Sequence, residues 1–513
     1  MSRRLKVLVP TAALALAACA APAVAPAPAT KAAEITAKAM YDHIAFLASD
    51  AMRGRDTPSP GLDSAAAYLV RHHQKLGLEP GGESGTFYQY YPYPLRRLSA
   101  EGTQLRFATP AGEQALTLGR DFVPGGGTTA PVSGALVYLG SGGDVAGEAG
   151  SLSGRVAVFS LPGSGMSRDF RMLRGQQQRI AERLGASAAI HIVDASWTDQ
   201  VFGAAAATAT RPARSYGAEV GYPSFLISNA AAQKLLGAAK LSLDALARTP
   251  AAAATQPVPL AGLSAALAAP VESLDEAKAP NVVAILRGSD PALRDEYVVI
   301  SAHMDHVGVG RADEKGDSIY NGADDNASGT SALAEIARAM AESGERPRRS
   351  VIFLHVSGEE KGLLGSRWYS DHPTVPLEKI VANINLDMIA YNAPDSIVVI
   401  GKDYSSLGET MNRLNAENPD LGLIAADDIW PEERFFFRSD HYNFARKEIP
   451  ALFFFSGVHR CYHRPCDEPD FIDPAKAARV ATLALYTIRD IANADERPTW
   501  VPAGLEEVRA LTR

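Results

Sequence analysis

A regular alternation of strand-like and helical segments over residues 276–495 constrains the fold of this chain more than any other feature. The β-branched or aromatic runs in this region are residues 297–302, 350–356, 380–386, 397–400 and 450–455. Between the first two lies an amphipathic pattern that predicts a long helix over residues 327–341. Strands that alternate with helices form parallel sheets covered on both faces. The sequence therefore predicts a three-layer αβα domain with a mixed, largely parallel sheet.

The remaining chain divides into stretches of different composition. Residues 34–120 open with helical spacing of apolar residues and are interpreted as the first part of the same α/β domain. Residues 121–275 are rich in Gly and Ala and carry short strand-like runs, which predicts a smaller β-rich insert. Residues 276–495 then form the main part of the α/β domain, and residues 496–513 are a C-terminal tail.

The first residues have the pattern of an export signal. A positively charged start is followed by an apolar stretch too short to span a bilayer, and Leu16-Ala17-Ala18-Cys19 resembles a bacterial lipobox. We therefore expect residues 1–19 to be a lipoprotein signal peptide with lipidation at Cys19, and residues 20–33 to be a tether. The expected location is the cell envelope, at the outer membrane facing the periplasm, with membrane contact through the lipid alone. A soluble secreted or periplasmic form is the alternative.

The charge balance bears on the class of partner, and the cysteine content bears on a possible disulfide. Lys and Arg number 50 against 58 Asp and Glu, a net charge of −8, and no long basic run is present. This balance argues against a nucleic-acid partner. Besides Cys19, the cysteines are Cys461 and Cys466, and an oxidising compartment permits a disulfide between them. Such a bridge would close a small loop that contains His463.

Five segments with potential metal ligands follow predicted strands or open the predicted helix. They are residues 301–305, 321–329, 357–360, 385–388 and 462–463, and they carry His, Asp and Glu side chains. Each segment alone is weak evidence, because a single His or Asp at such a place is more often a loop residue or a helix cap. Together they would bring carboxylates and imidazoles to one edge of the sheet, where like charges need cations between them. The pattern predicts a site for two divalent metal ions.

These segments resemble those of the co-catalytic dizinc exopeptidases of metallopeptidase family 28, which include leucyl aminopeptidases and glutamate carboxypeptidases. The resemblance covers residues 297–465, and Arg53-Gly54-Arg55 resembles the start of the same catalytic domain. The stretch 121–275 resembles the protease-associated domain inserted in many members. The resemblance implies a peptide hydrolase with two Zn²⁺ per chain.

The resemblance also implies the metal ligands, residue by residue. It implies His303 and Asp387 at one zinc, Glu360 and His463 at the other, and Asp325 as the bridge between them. Imidazole nitrogen and carboxylate oxygen are ligands that zinc prefers, which agrees with this set. Asp324 is then a neighbour of the bridging acid.

Three further roles follow from the same resemblance. Glu359 would be the general base that takes a proton from water and passes it to the leaving amine. Asp305 would orient the imidazole of His303. Tyr462 matches a position that in some members hydrogen-bonds the developing oxyanion. A free carboxylate next to a ligand carboxylate suits such a proton shuttle, because a metal ligand has its lone pairs engaged.

Several alternatives stay open. An aminopeptidase is expected, but a carboxypeptidase or dipeptidase of the same family shares the ligands, a glutaminyl cyclase shares the fold, and a transferrin-receptor-like binding protein would have lost catalysis. The Ser439-Asp440-His441 segment is interpreted as structural or beside the pocket, and residues 434–437 as core or pocket wall. His306 and His355 are interpreted as structural. The sequence leaves the oligomeric state unknown and the side-chain preference open.

Overall fold

The computed structural model describes residues 34–512 except for 143, 144, 146, 164–166, 217–221 and 248–255. Its helices are α1 Ala37–Leu47, α2 Pro60–Lys75, α3 Arg168–Arg183, α4 Asp199–Ala209, α5 Asn229–Ala238, α6 Leu243–Ala247, α7 Gly329–Glu342, α8 Leu364–Asp371, α9 Leu407–Glu417, α10 His441–Ala445, α11 Pro474–Asn493 and α12 Pro502–Thr512. Among these described helices, none is both long and apolar enough to cross a bilayer.

The strands of the first half of the chain are β1 Glu79–Pro80, β2 Tyr88–Pro92, β3 Leu95–Leu98, β4 Gln104–Thr109, β5 Gly112–Ala115, β6 Phe122–Pro124, β7 Val132–Tyr138, β8 Arg155–Leu161, β9 Ala188–Val193, β10 Ala213–Arg214 and β11 Ser224–Ile227. Those of the second half are β12 Val258–Ala268, β13 Val271–Ser273, β14 Lys278–Leu286, β15 Tyr297–His303, β16 Gly308–Val309, β17 Ile319–Tyr320, β18 Ser350–Val356, β19 Ile380–Leu386, β20 Ser396–Ile400, β21 Ile424–Ala426 and β22 Ala451–Phe455.

A mixed sheet forms the middle layer of the larger domain, in the order β1-β14-β18-β15-β19-β22-β20-β21, with β2 also pairing with β14. The central strands β18, β15, β19 and β22 run parallel, while β14 and β20 are antiparallel to their neighbours in this group. Alternate residues of β15 point to opposite faces. Val298 and Ile300 pack with α1, α2, α7 and α11, whereas Val299 packs with α8 and α10. The predicted three-layer α/β fold is confirmed.

The insert has its own sheet, in the order β5-β4-β12-β7-β8-β9-β11-β6, and its own apolar core. This sheet begins at Gln104, ahead of the boundary predicted at residue 121, because β4 pairs with β12 over residues 104–108 and 264–268. The sheet ends at Ala268. Its identity as a protease-associated domain stays a prediction. The tail predicted after residue 495 contains α12.

The helix predicted from residue 327 begins at Gly329 instead. Residues Ala323–Ser328 form an irregular helical turn, and within it Asp325 and Asn326 leave helical geometry. The Asp325–Asn326 peptide bond is cis. The side-chain oxygen of Asn326 accepts a hydrogen bond from the backbone N–H of Gly329, at 2.8 Å, and so satisfies one of the free N–H groups at the start of α7. This turn leaves Asp325 free to face the sheet edge rather than the helix.

A buried pair of histidines predicts that acid destabilises this domain. His73 of α2 and His355 of β18 are fully buried, with their Nε2 atoms 3.0 Å apart. Burial lowers the pKa of His73 to about 3 and that of His355 well below its usual value. Below pH 6.5 the unfolded chain binds protons at these sites and the folded chain does not. We therefore expect the free energy of unfolding to fall by up to about 1.4 kcal/mol per pH unit for each group.

Urea unfolding of the metal-free protein at pH 7 and pH 5 measures this effect. The His73→Phe variant should lose less stability between the two pH values than the parent protein, whereas a His372→Gln variant, changed at an exposed histidine, should match the parent. Equal pH dependence in His73→Phe and the parent would contradict the assignment.

Candidate metal centre

The carboxyl ends of the parallel strands bring the potential ligands together. His303 is the last residue of β15, Asp387 directly follows β19, and Glu360 lies in the loop after β18. Two groups of donor atoms form there, and within each group all donors lie within 4.8 Å of one another. The first group is His303, Asp325 and Asp387; the second is His306, Asp325, Glu360 and His463. Asp325 belongs to both.

Hydrogen bonds from buried polar side chains hold Asp387 of the first group in place. His303 Nε2 lies 3.2 Å from Asp387 Oδ1 and 3.4 Å from Asp325 Oδ1. The other oxygen of Asp387, Oδ2, accepts a hydrogen bond of 2.7 Å from the hydroxyl of Ser439. Ser439 in turn accepts one of 2.9 Å from the side-chain amide of Asn385. Asp387 therefore presents one fixed oxygen to the first donor group.

The second group takes the other oxygen of Asp325. His463 Nε2 lies 3.2 Å from Asp325 Oδ2 and 3.0 Å from Glu360 Oε2. The two carboxylate oxygens of Asp325 thus face different groups. Asp324, the neighbouring acid, faces away: its Oδ1 accepts a 2.7 Å hydrogen bond from the backbone N–H of Ala390.

The structure places His306, interpreted from the sequence as structural, beside other candidate ligands. The fully buried His306 places Nδ1 2.7 Å from Glu360 Oε1 and 3.7 Å from Asp325 Oδ2, inside the second donor group. Sequence reasoning passed over it because a lone His after a strand is usually a loop residue. Its position three residues after His303, beyond the same strand, was the available signal. His355 does lie elsewhere, in the buried pair with His73.

The electrostatics of the cluster fit a bound cation. Burial and the neighbouring Glu360 carboxylate raise the pKa of Asp325. Burial lowers the pKa of His463, but Asp325 and Glu360 outweigh it and raise that pKa to about 10. Within the described part of the chain, His463 Nε2 and Glu360 Oε1 are buried atoms without a hydrogen-bond partner. Unpaired donors of this kind converging on one point are the donor set that zinc prefers.

Glu359 lies beside the first group without belonging to either. It lines the same cavity as His303, Asp325 and Asp387. Burial raises the pKa of its carboxyl well above the usual value, although the nearby His303 acts in the opposite direction. A buried carboxyl with a raised pKa next to a metal position is suited to take up and return a proton.

Tyr462 lies on the other side of this cavity. Its ring stacks on that of His463, with ring centroids 3.9 Å apart. Burial, together with the nearby carboxylates, raises the pKa of Tyr462, so its hydroxyl stays protonated at neutral pH. The group is therefore available to donate a hydrogen bond into the cavity.

Asp305 approaches the His303 imidazole with its backbone more closely than with its carboxylate. His303 Nδ1 lies 3.2 Å from the backbone carbonyl oxygen of Asp305, closer than the 3.7 Å to its carboxylate. The carboxylate instead accepts a 2.9 Å hydrogen bond from the hydroxyl of Thr57. Thr57 also accepts one of 3.1 Å from the backbone N–H of Gly358, which precedes Glu359. Thr57 thus joins the His303 segment to the Glu359 loop.

Replacing Thr57 by Val removes both hydrogen bonds and keeps the shape of the side chain. Because the buried Asp305 carboxylate and the Gly358 N–H then lose a partner, we expect kcat to fall about tenfold. The Thr57→Ser variant keeps the hydroxyl and should retain most activity. Steady-state kinetics of the two variants measures the difference; equal rates in Val, Ser and parent proteins would show that the hydroxyl does not position the loop.

The segment with His463 is joined to the turn with Asp325. Cys461 and Cys466 are paired in the structure, with Cα atoms 5.3 Å apart. The carboxylate of the next residue, Asp467, accepts backbone N–H groups from Asp324, at 2.9 Å, and Asp325, at 3.1 Å. Sequence reasoning missed Asp467, whose position directly after the cysteine pair was the available signal. Formation of the disulfide in an exported protein stays a prediction, and Cys19 lies outside the described residues.

The remaining candidates surround the cavity. Ser439 holds Asp387, as described above. Asp440 is fully buried, and burial raises its pKa to about 7. His441 stacks on Phe453, with ring centroids 4.7 Å apart. Of residues 434–437, Phe435 lines the cavity and packs with Phe455. This segment therefore supplies both a ligand support and an apolar wall.

The fold and the clustered donors define a three-layer α/β domain with a candidate metal centre. Residues 281–488 match the model of peptidase family M28.

Individual relatives resemble parts of the chain. Leupeptin-inactivating enzyme 1 of Streptomyces exfoliatus is 28% identical over 229 residues, which cover 40% of this chain and 47% of that protein. A probable leucine aminopeptidase of Arthroderma otae is 26% identical over 226 residues, 42% of this chain and 59% of that protein. The chain thus spans about half the length of these curated relatives. An aminopeptidase structure from Aneurinibacillus sp. strain AM-1 aligns with 90% of this chain and 95% of its own, at 20% identity and a TM-score of 0.45.

Proposed function

We propose that this protein is a zinc exopeptidase that hydrolyses the N-terminal residue from peptides and uses two zinc ions per chain. The observation that carries the proposal is the division of the two Asp325 oxygens between two donor groups, beside a Glu359 that belongs to neither. A single-ion site needs no such shared carboxylate. The family of the domain and the names of its relatives support the same reaction class.

Different residues carry out different parts of the hydrolysis. Zinc ions, when bound, lower the pKa of water towards about 7 and polarise the peptide carbonyl. Glu359 takes the proton of the attacking water and returns it to the leaving amine, because its carboxyl lies in the cavity beside the first donor group and belongs to neither group. The protonated hydroxyl of Tyr462 donates a hydrogen bond to the carbonyl oxygen as negative charge develops there.

The cavity supports an N-terminal rather than a C-terminal substrate. Among the described residues that line it, Arg438 is the only Arg or Lys, and its guanidinium is paired with Glu433 at 3.1 Å. A terminal carboxylate of a substrate needs an available Arg, whereas a peptide ammonium group does not. Met388, Phe453 and Phe455 form an apolar wall, which favours an apolar N-terminal side chain.

Peptides that differ only at their termini test this proposal. Zinc-loaded protein should release the first residue of a free leucyl peptide and leave its N-acetylated form intact, while C-terminal amidation should have little effect. Release of the last residue from the acetylated peptide would assign the protein to the carboxypeptidases instead. Absence of hydrolysis from a protein that holds its zinc would favour the non-catalytic, transferrin-receptor-like reading.

We propose in addition that the protein works in the cell envelope, anchored by a lipid on Cys19. The charged and apolar pattern of residues 1–18, followed by a cysteine, supports this. Metabolic labelling with a radioactive fatty acid should mark the parent protein and not a Cys19→Ser variant. Label in both proteins would contradict the assignment of the acylated residue.

A further inference from the structure

We propose that His306 is a fourth protein ligand of the second zinc position, which closes this position, while the first position keeps an open coordination place for water and substrate. The inference rests on the proposed function, because it assigns unequal roles to its two ions. Structural zinc sites have four protein ligands, whereas catalytic sites have three and an open place. The first donor group has three members, and the second has four. The first consists of His303, Asp325 and Asp387, and the second of His306, Asp325, Glu360 and His463.

The distances in the second group fit four ligands of one ion. Ligand atoms about 2.0–2.1 Å from a tetrahedral zinc lie about 3.3 Å from one another. The measured separations are 2.7 Å for His306 Nδ1 to Glu360 Oε1, 3.0 Å for His463 Nε2 to Glu360 Oε2, 3.2 Å for His463 Nε2 to Asp325 Oδ2, and 3.7 Å for His306 Nδ1 to Asp325 Oδ2. Three of these separations are shorter than the tetrahedral value of about 3.3 Å, and one is longer.

Two buried donor atoms of the second group lack a hydrogen bond of good geometry. His306 Nδ1 lies 2.7 Å from Glu360 Oε1, and in the described part of the chain neither atom has a hydrogen-bond partner. Packing fixes the imidazole: Gly322 approaches so closely that an added Cβ would lie 2.6 Å from ring carbons of His306. A buried imidazole nitrogen without a hydrogen-bond partner destabilises the folded protein, and coordination of a metal ion by this nitrogen removes that destabilisation.

The cavity shows which position is open. Its lining includes His303, Asp325, Asp387 and Glu359, but not His306, Glu360 or His463 among the residues that form it. The first donor group therefore faces the space that receives substrate, with the general base beside it. The second group shares only Asp325 with the residues that form this cavity. Substrate and attacking water are thus expected at the first position, and the second position holds Asp325 in place.

X-ray absorption on the purified protein loaded with one equivalent of zinc tests the ligand count. The closed position should fill first, so the spectrum should show two imidazoles per zinc, and 1.5 after full loading with two equivalents. If His306 is not a ligand, each of the two zinc positions has only one imidazole ligand. One imidazole per zinc in the parent protein therefore overturns the inference, and this measurement needs no variant.

The His306→Gln variant provides a second readout. We expect one imidazole per zinc at one equivalent, and chelator competition should show that the tighter of the two affinities is reduced about 100-fold or more. The matched control is His459→Gln, which removes another buried imidazole next to the cluster, 3.3 Å from Asp324 and outside both donor groups. The control should keep both affinities. Unchanged affinities in His306→Gln would overturn the inference.

These outcomes are distinguishable from failure of the proposed function. If the parent protein binds two zinc ions and hydrolyses free N-terminal peptides but shows one imidazole per zinc, the inference alone fails. If it binds fewer than two zinc ions, or binds two and hydrolyses no peptide, the proposed function fails.

Discussion

Replacing Glu359 by Gln should lower kcat by about a thousandfold or more and leave the zinc content of the protein unchanged. Glu359 lies in the cavity beside the first donor group but in neither ligand set. General acid–base catalysis contributes about 10² to 10⁴ in rate, and one residue here serves as base and then as acid. The amide keeps the size of the side chain and cannot accept the proton. Steady-state kinetics and metal analysis of the same preparation give the two numbers.

The adjacent Glu360→Gln variant is the matched comparison. Glu360 lies 3.0 Å from His463 Nε2 and belongs to the second donor group, so its variant should lose zinc as well as activity. The two substitutions are chemically identical and one residue apart. Their different zinc contents would separate proton transfer from ligation. A Glu359→Gln protein with normal kcat would refute the role of Glu359 as the base.

Replacing Asp325 by Asn should have the largest effect on the metal centre itself. Asp325 Oδ1 faces the first group and Oδ2 the second, so an amide removes the negative charge from both and replaces one oxygen donor by nitrogen. We expect the zinc content to fall below one per chain after dialysis and kcat/KM to fall by about four orders of magnitude. Asp467 still accepts the backbone N–H of residue 325, so the turn should keep its conformation.

Asp324→Asn is the control for this experiment. Asp324 stands next to Asp325 in the same turn, but its Oδ1 accepts the backbone N–H of Ala390 and it belongs to neither donor group. This variant should lose stability and keep two zinc ions. Equal zinc content in the Asp324 and Asp325 variants would contradict the assignment of Asp325 as the shared ligand.

Local sequence patterns explain which parts of the fold could be predicted from the sequence. The strands Ser350–Val356 and Ile380–Leu386 have the predicted bounds, because continuous apolar runs of this length are buried on both faces of a parallel sheet. The beginning of α7 and the edge of the insert were less predictable. Gly329 starts the helix only because the turn around Asp325 faces the metal centre, and β4 belongs to the insert only because it pairs with β12.

The roles of individual polar residues depended still more on tertiary contacts. Thr57 lies 301 positions before Gly358 along the chain and 3.1 Å from it in space. Asp467 reaches Asp325 from a separation of 142 residues. The Thr57 contact has no sequence signal, and the position of Asp467 after the cysteines does not show which residues it contacts. Hydrogen bonds between distant loops follow from the strand order and not from any local pattern.

The sequence by itself determined the α/β class, the ligand types at strand ends and the Glu359-Glu360 pair, because apolar periodicity and the residue types that bind metals are local properties. Only the tertiary structure decided that Asp325 divides its oxygens between two groups, that the backbone of Asp305 rather than its carboxylate approaches His303 most closely, and that His306 joins the second group. These depend on the direction in which each side chain is held, and that direction is set by packing between segments far apart in the chain.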